Sequence, residues 1–130
     1  MQLFLLASLG GAIGAGARYL VNVVCAQCML PGFPWATFMI NILGSFLMGV
    51  VVAGLMPYFG GSVAWRTFLA TGILGGFTTF SAFSLEAVDL MQRQQTVPFL
   101  VYVFGSVILS LAALMAGVAI ARAGFGGALR

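Results

Sequence analysis

The chain has 130 residues, and Lys plus Arg number 5, Asp plus Glu 2, and His none, for a net charge of +3. Charged residues make up 5% and hydrophobic residues 62%, whereas soluble domains carry roughly 25% charged residues, so a soluble surface is excluded and an integral membrane protein remains. Without His there is neither an imidazole base nor a His-ligated metal, the scattered Arg residues make no nucleic-acid stripe, and no enzyme chemistry is expected.

A spanning helix needs about 20 apolar residues, and the prolines show where to cut. Four spans follow, at about 3–24, 35–56, 65–90 and 98–121. Pro31 and Pro34 fall in the first connection, Pro57 ends an apolar run and Pro98 opens one. The connections are short and the spans fill residues 1–130, so one four-helix transmembrane domain is expected.

The first span begins with Leu3–Leu9 and contains Ala15-Gly16-Ala17, which mimics a signal peptide. No basic residue precedes the apolar run, and that run continues past Arg18 through Tyr19-Leu20-Val21, so no cleavage is expected. Cys25 and Cys28 follow in what reads as the first loop. Their spacing matches metal and redox motifs, but zinc needs four ligands and no others exist, so no metal or disulfide role is expected.

In the second span Asn41 is about six residues in, roughly 9 Å deep, where an amide must find a partner or line a pathway. The third span contains Gly72-Ile73-Leu74-Gly75-Gly76-Phe77-Thr78-Thr79, poor helix interior, and a mid-membrane break is expected near 75–79. A break frees backbone groups, which lipid tolerates only where they are buried in protein or line a cavity. Beyond it Phe80 and Phe83 share a helical face, interleaved with Thr79, Ser81 and Ser84. An aromatic edge carries partial positive charge and a hydroxyl donates a hydrogen bond, so both can face an anion. In the fourth span Tyr102, Ser106 and Ser110 recur at i, i+4 and i+8. A path lined by neutral donors without a central carboxylate suits a small anion, since cation pores favour acidic rings or carbonyls. Arg18 either concentrates anions at a pore mouth or snorkels at the end of its span.

Small-xxx-small pairs recur at Gly10/Gly14, Gly11/Ala15, Ser45/Gly49, Gly49/Ala53, Gly72/Gly76 and Gly117/Ala121. They predict tightly packed helices and contacts between chains. Arg66, Arg122 and Arg130 belong near one membrane face, and Arg93 and Arg18 near the other. So weak a bias hardly fixes orientation and leaves insertion in both directions open.

Three segments carry a resemblance across nearly the whole chain: Gly10-Gly11-Ala12-Ile13-Gly14-Ala15-Gly16-Ala17-Arg18-Tyr19, Asn41-Ile42-Leu43-Gly44, and Gly72 through Glu86. The chain resembles the Fluc/CrcB fluoride channels. That resemblance implies an all-α, antiparallel, dual-topology homodimer with two pores in a bacterial inner membrane, exporting fluoride passively from the cytoplasm. It implies that Phe80 and Phe83 present ring edges to fluoride, that Asn41 lines the pore, and that Tyr102, Ser106 and Ser110 form a polar track. It further implies a structural sodium ion at the dimer centre, bound by the backbone carbonyls of Gly75 and Thr78.

The rivals are transporters. A small multidrug transporter needs an acid inside the membrane, in resembled families in the first span, and residues 3–24 have none. A fluoride–proton antiporter would use Glu86, which otherwise reads as an interfacial acid beside Asp89 and Arg93. A non-transporting assembly subunit is the third alternative.

Overall fold

A computed structural model describes residues 1–125; Arg130, part of the charge comparison above, lies outside them. The described residues are helical apart from short connections and Thr78-Thr79. Four helices are long and apolar enough to cross a membrane: α1 (Gln2–Cys28), α2 (Trp35–Tyr58), α3 (Val63–Gln92) and α4 (Thr96–Gly124). All four expected spans are present, each extended by a few residues. The extension of α1 places Cys25 and Cys28 in its last turns rather than in a loop, Cys25 buried and Cys28 exposed, both as free thiols.

Each short connection reverses the chain, so α1 and α3 run one way and α2 and α4 the other. Met29 leaves helical geometry just before Pro31, and Pro34 caps the start of α2. Between α2 and α3 the chain turns through Gly60 and Gly61 at φ +62° and +69°, a left-handed pair that favours glycine. Pro57 does not end α2 outright. Residues Val51–Leu55 widen into a π turn in which Met56 N–H donates to the Val51 carbonyl, five residues back. That adjustment absorbs the donor that Pro57 lacks. A second π segment, Thr67–Leu74, occupies the first half of α3, with Gly75 N–H reaching the Ala70 carbonyl.

Packing is pairwise: α1 lies along the first half of α3, and α2 along α4. Glycines allow both contacts. A Cβ on Gly10 would meet the Phe68 carbonyl at 2.5 Å, and one on Gly76 the Gly11 carbonyl at 2.6 Å. A Cβ on Gly49 or Gly117 would be driven into the Leu114 or Phe46 carbonyl. These glycines join helices within one chain, as the expected tight packing requires, whereas a Cβ on Gly11, of the Gly11/Ala15 pair, would meet nothing in the chain. Backbones at such range gain dispersion and weak Cα–H···O contacts that bulky side chains would forbid.

Large apolar side chains project from every helix, among them Phe4, Leu20, Leu43, Leu85, Phe104 and Leu111. Aromatic clusters mark both ends. Phe33 packs on Trp35 at 4.6 Å beside the 29–34 connection, and Phe59 stacks on Trp65 at 4.7 Å at the opposite end. Amphipathic rings at both ends suit a chain anchored at two lipid interfaces.

Candidate functional site

The site is organised by two threonines in α3. Thr78 (φ −74°, ψ 156°) and Thr79 (φ −150°, ψ 124°) are extended, between the helical stretch ending at Phe77 and the helix Phe80–Gln92. Asn41 on α2 holds this segment. Its Nδ2 donates to the Thr79 carbonyl at 3.0 Å, and its Oδ1 accepts the Thr79 N–H at 2.9 Å. One side-chain amide thus supplies the acceptor that Thr79 N–H lacks and adds a donor to its carbonyl. Thr79 Oγ1 accepts from Ala82 N–H at 3.2 Å and so caps Phe80–Gln92. Thr78 folds back, its hydroxyl donating to the Leu74 carbonyl at 2.9 Å.

These bonds have a consequence for the backbone. In a continuous helix the Thr79 N–H would serve the Gly75 carbonyl and the Ala82 N–H the Thr78 carbonyl. Here Asn41 and Thr79 Oγ1 take those donors. The Gly75 and Thr78 carbonyls are thereby released as acceptors, the chemistry a hard cation such as sodium requires. Among the described residues no group of three or more His, Cys, Asp or Glu is placed to hold a metal ion.

Beside the extended segment lies a cleft of about 470 Å³. Of the residues singled out from sequence, it is lined by Asn41, Gly44, Ser45, Gly75, Thr78, Thr79, Phe80, Phe83, Ser106 and Ser110. Phe80 is 77% exposed, whereas Phe83 is buried between it, at 5.5 Å, and Tyr102, at 5.2 Å. Ser106 and Ser110 each have a buried Oγ without a hydrogen-bond partner. Serines in helices commonly bond their own backbone, and here they do not.

Four expected residues are not brought to the cleft. Arg18 is on α1, which contributes nothing to the lining, ten positions before the helix ends and so not at its terminus. Ser84 donates to its own helix at the Phe80 carbonyl, and the exposed Ser81 makes one long contact, 3.4 Å, with Thr79 Oγ1. Tyr102 is fully buried behind Phe83 rather than lining the cleft.

Glu86 is not an interfacial acid beside Arg93, which instead pairs with Asp89 at 3.0 Å. Glu86 turns into the bundle, where Tyr102 Oη donates to its Oε2 at 2.6 Å and Thr37 Oγ1 to its Oε1 at 2.9 Å. Two hydroxyls on two helices thus hold one carboxyl group. Sequence reasoning missed Thr37. The signal was there: Thr37 lies one turn before Asn41 on the same face of α2.

Comparison with known proteins places these segments in a shared context. The family model described as CrcB-like protein, Camphor Resistance (CrcB), matches residues 5–118. A protein of Rhizobium meliloti (strain 1021) named "Fluoride-specific ion channel FluC" is 47% identical over 123 residues, 95% of this chain and 98% of its own. Proteins of the same name from Phenylobacterium zucineum (strain HLK1) and Cereibacter sphaeroides (strain ATCC 17029 / ATH 2.4.9) are 49% and 54% identical. The first covers 94% of this chain and 97% of its own, the second 88% and 90%.

Proposed function

The chain belongs to the CrcB family, and from that premise we propose that it is a fluoride-selective channel, not an enzyme, through which the ion moves passively down its electrochemical gradient. The observation that carries this reading is the donor-lined cleft. Phe80 and Phe83, Asn41 and the unpaired hydroxyls of Ser106 and Ser110 meet there without any cation.

Fluoride is compact and holds its water tightly. A selective path must replace those hydrogen bonds without holding the ion so firmly that it cannot leave. Phe80 and Phe83 offer the positive edges of their rings, and the serines offer one hydroxyl each. The second Nδ2 hydrogen of Asn41 is left over from its bond to Thr79. Each contact is weak and several are available along the path. Fixed guanidinium groups would bind more strongly and risk trapping the ion.

In the full reading, two chains assemble antiparallel, inserted in both orientations in a bacterial inner membrane, and fluoride leaves the cytoplasm through two pores. The released carbonyls of Gly75 and Thr78 from both chains would hold a structural sodium ion at the dimer centre. Such an ion would supply a fixed positive charge to those carbonyl oxygens.

The alternatives have less support. The drug-transporter mechanism needs an intramembrane acid in the first span, and α1 contains none. Glu86 is engaged by Tyr102 and Thr37, and the relatives are named channels. The test is efflux from liposomes loaded with fluoride or with chloride, read with ion-selective electrodes. Rapid fluoride loss with chloride retained is expected. Equal loss of both, or of neither, overturns the reading.

A further inference from the structure

The tyrosine and serines of α4 have a counterpart on α2. Thr37, Asn41 and Ser45 recur at i, i+4 and i+8, as Tyr102, Ser106 and Ser110 do. The same sequence separation relates Thr37 to Tyr102, Asn41 to Ser106 and Ser45 to Ser110. Because α2 and α4 run in the same direction and pack along their length, the two stripes climb the bundle side by side.

The first level joins through Glu86, which accepts from both Thr37 and Tyr102. Residues of the second and third levels, Asn41, Ser45, Ser106 and Ser110, all line the cleft. The packing that fixes this register lies one turn further on. Gly49 sits four residues past Ser45, and there a Cβ would be driven into the Leu114 carbonyl, four residues past Ser110.

Resting on the channel reading above, we propose that Ser45 is a fluoride-contacting residue, giving α2 a hydroxyl on the path opposite Ser110. Its spacing before Gly49 suggests a helix-packing role, but the α2–α4 contact is made by Gly49 and Gly117. Ser45 lines the cleft instead and has no hydrogen bond to a described residue. Ser106, 4% exposed, and Ser110 carry buried, unpaired Oγ atoms in the same cleft. Such hydroxyls are costly without a partner, and an anion moving between the two walls is the partner they share. From α2, Asn41 brings one donor at most, since its Oδ1 and one Nδ2 hydrogen are bonded to Thr79.

The experiment compares the parent chain, Ser45→Ala and Ser45→Thr, each purified and reconstituted in liposomes, with oligomeric size read by chromatography. Ser45→Ala should keep the parent's size and lose fluoride efflux by about tenfold, the factor expected when one hydrogen bond to a charged group is removed. Ser45→Thr, which retains the hydroxyl, should conduct near the parent rate. If the parent conducts fluoride and Ser45→Ala matches it, Ser45 is off the path and the channel reading stands. If both substitutions impair efflux equally, or Ser45→Ala changes the oligomeric size, Ser45 acts through its volume and the proposal falls. A parent that conducts no fluoride overturns both.

Discussion

Asn41 grips Thr79 from both sides, its Nδ2 on the carbonyl at 3.0 Å and its Oδ1 on the N–H at 2.9 Å. The pair works as a short piece of sheet ladder made by a side chain. It holds the extended segment against α2 and determines which backbone carbonyls go unserved. Asn41→Leu should therefore do more than remove a donor from the cleft. It leaves the part-buried Thr79 N–H unpaired, at roughly 1–3 kcal/mol, and takes one donor from the Thr79 carbonyl. Efflux should be abolished and the melting temperature of the detergent-solubilised protein should fall. Asn41→Asp retains the acceptor for Thr79 N–H but sets an anion against the Thr79 carbonyl. It should conduct no better, and thermal melts should place it below the parent.

The two rings separate on stability. Phe80 is 77% exposed, whereas Phe83 is packed between Phe80 and Tyr102. Phe80→Ile should cut fluoride efflux severely with little change in melting. Phe83→Ile should cut efflux and also destabilise by about 1 kcal/mol, because it loses aromatic contacts. Phe80→Met should fall between, its polarizable sulfur standing in partly for the ring edge. Ile variants that conduct at the parent rate would remove both rings from the path.

Glu86 couples Thr37 to Tyr102, and a mutant cycle should reveal it. Thr37→Val and Tyr102→Phe each remove one donor from the same carboxylate. Their effects on unfolding should be non-additive by at least about 0.5 kcal/mol, and the coupling should vanish in a Glu86→Gln background. Additive losses would mean that the two hydroxyls do not act through Glu86.

Gly49 keeps α2 and α4 in register. Gly49→Val drives a branched side chain into the Leu114 and Val118 backbone. The variant should unfold at markedly lower temperature, and any folded fraction should have lost fluoride efflux. A methyl group added at Gly11 or Gly16, by contrast, meets open space within the chain. Gly16→Ala should melt within about 0.5 kcal/mol of the parent, as surface substitutions do.

Dual insertion is tested by labelling. Cys25→Ala and Cys28→Ala remove both native thiols, and Gln92→Cys places one on the exposed end of α3. Impermeant thiol reagents applied from either side should each reach about half the molecules, as a weak positive-inside bias implies. Labelling from one side alone would rule out dual topology.

The four spans were legible because length, apolar runs and proline placement all agree in membrane helices. Helix ends were legible only to a few residues. Nothing in the sequence marks Met29, rather than Cys25, as the first residue to leave helical geometry. The π turns were not legible, since they depend on how Pro57 and Gly75 redirect individual N–H groups. For the site, the Gly-Gly-Phe-Thr-Thr segment and the α4 stripe could be read by composition and spacing. The inward turn of Glu86 could not, because it depends on Thr37 and Tyr102 from two other helices. Glycine spacing predicted close approach, and Gly10, Gly49, Gly76 and Gly117 make it with neighbouring helices of the same chain. Counting by fours along α2, as along α4, would have found Thr37 and set Ser45 beside Asn41 rather than only beside Gly49.

Passive movement of charge is the central claim, and the counter-ion requirement tests it most directly. Liposomes containing the purified protein, loaded with potassium fluoride and diluted into fluoride-free medium, should release almost no fluoride until valinomycin lets potassium follow, and should then empty rapidly. A channel carries net charge and must stall against the potential it creates. Rapid efflux without valinomycin, driven instead by an imposed proton gradient, would contradict the account and point to exchange through Glu86.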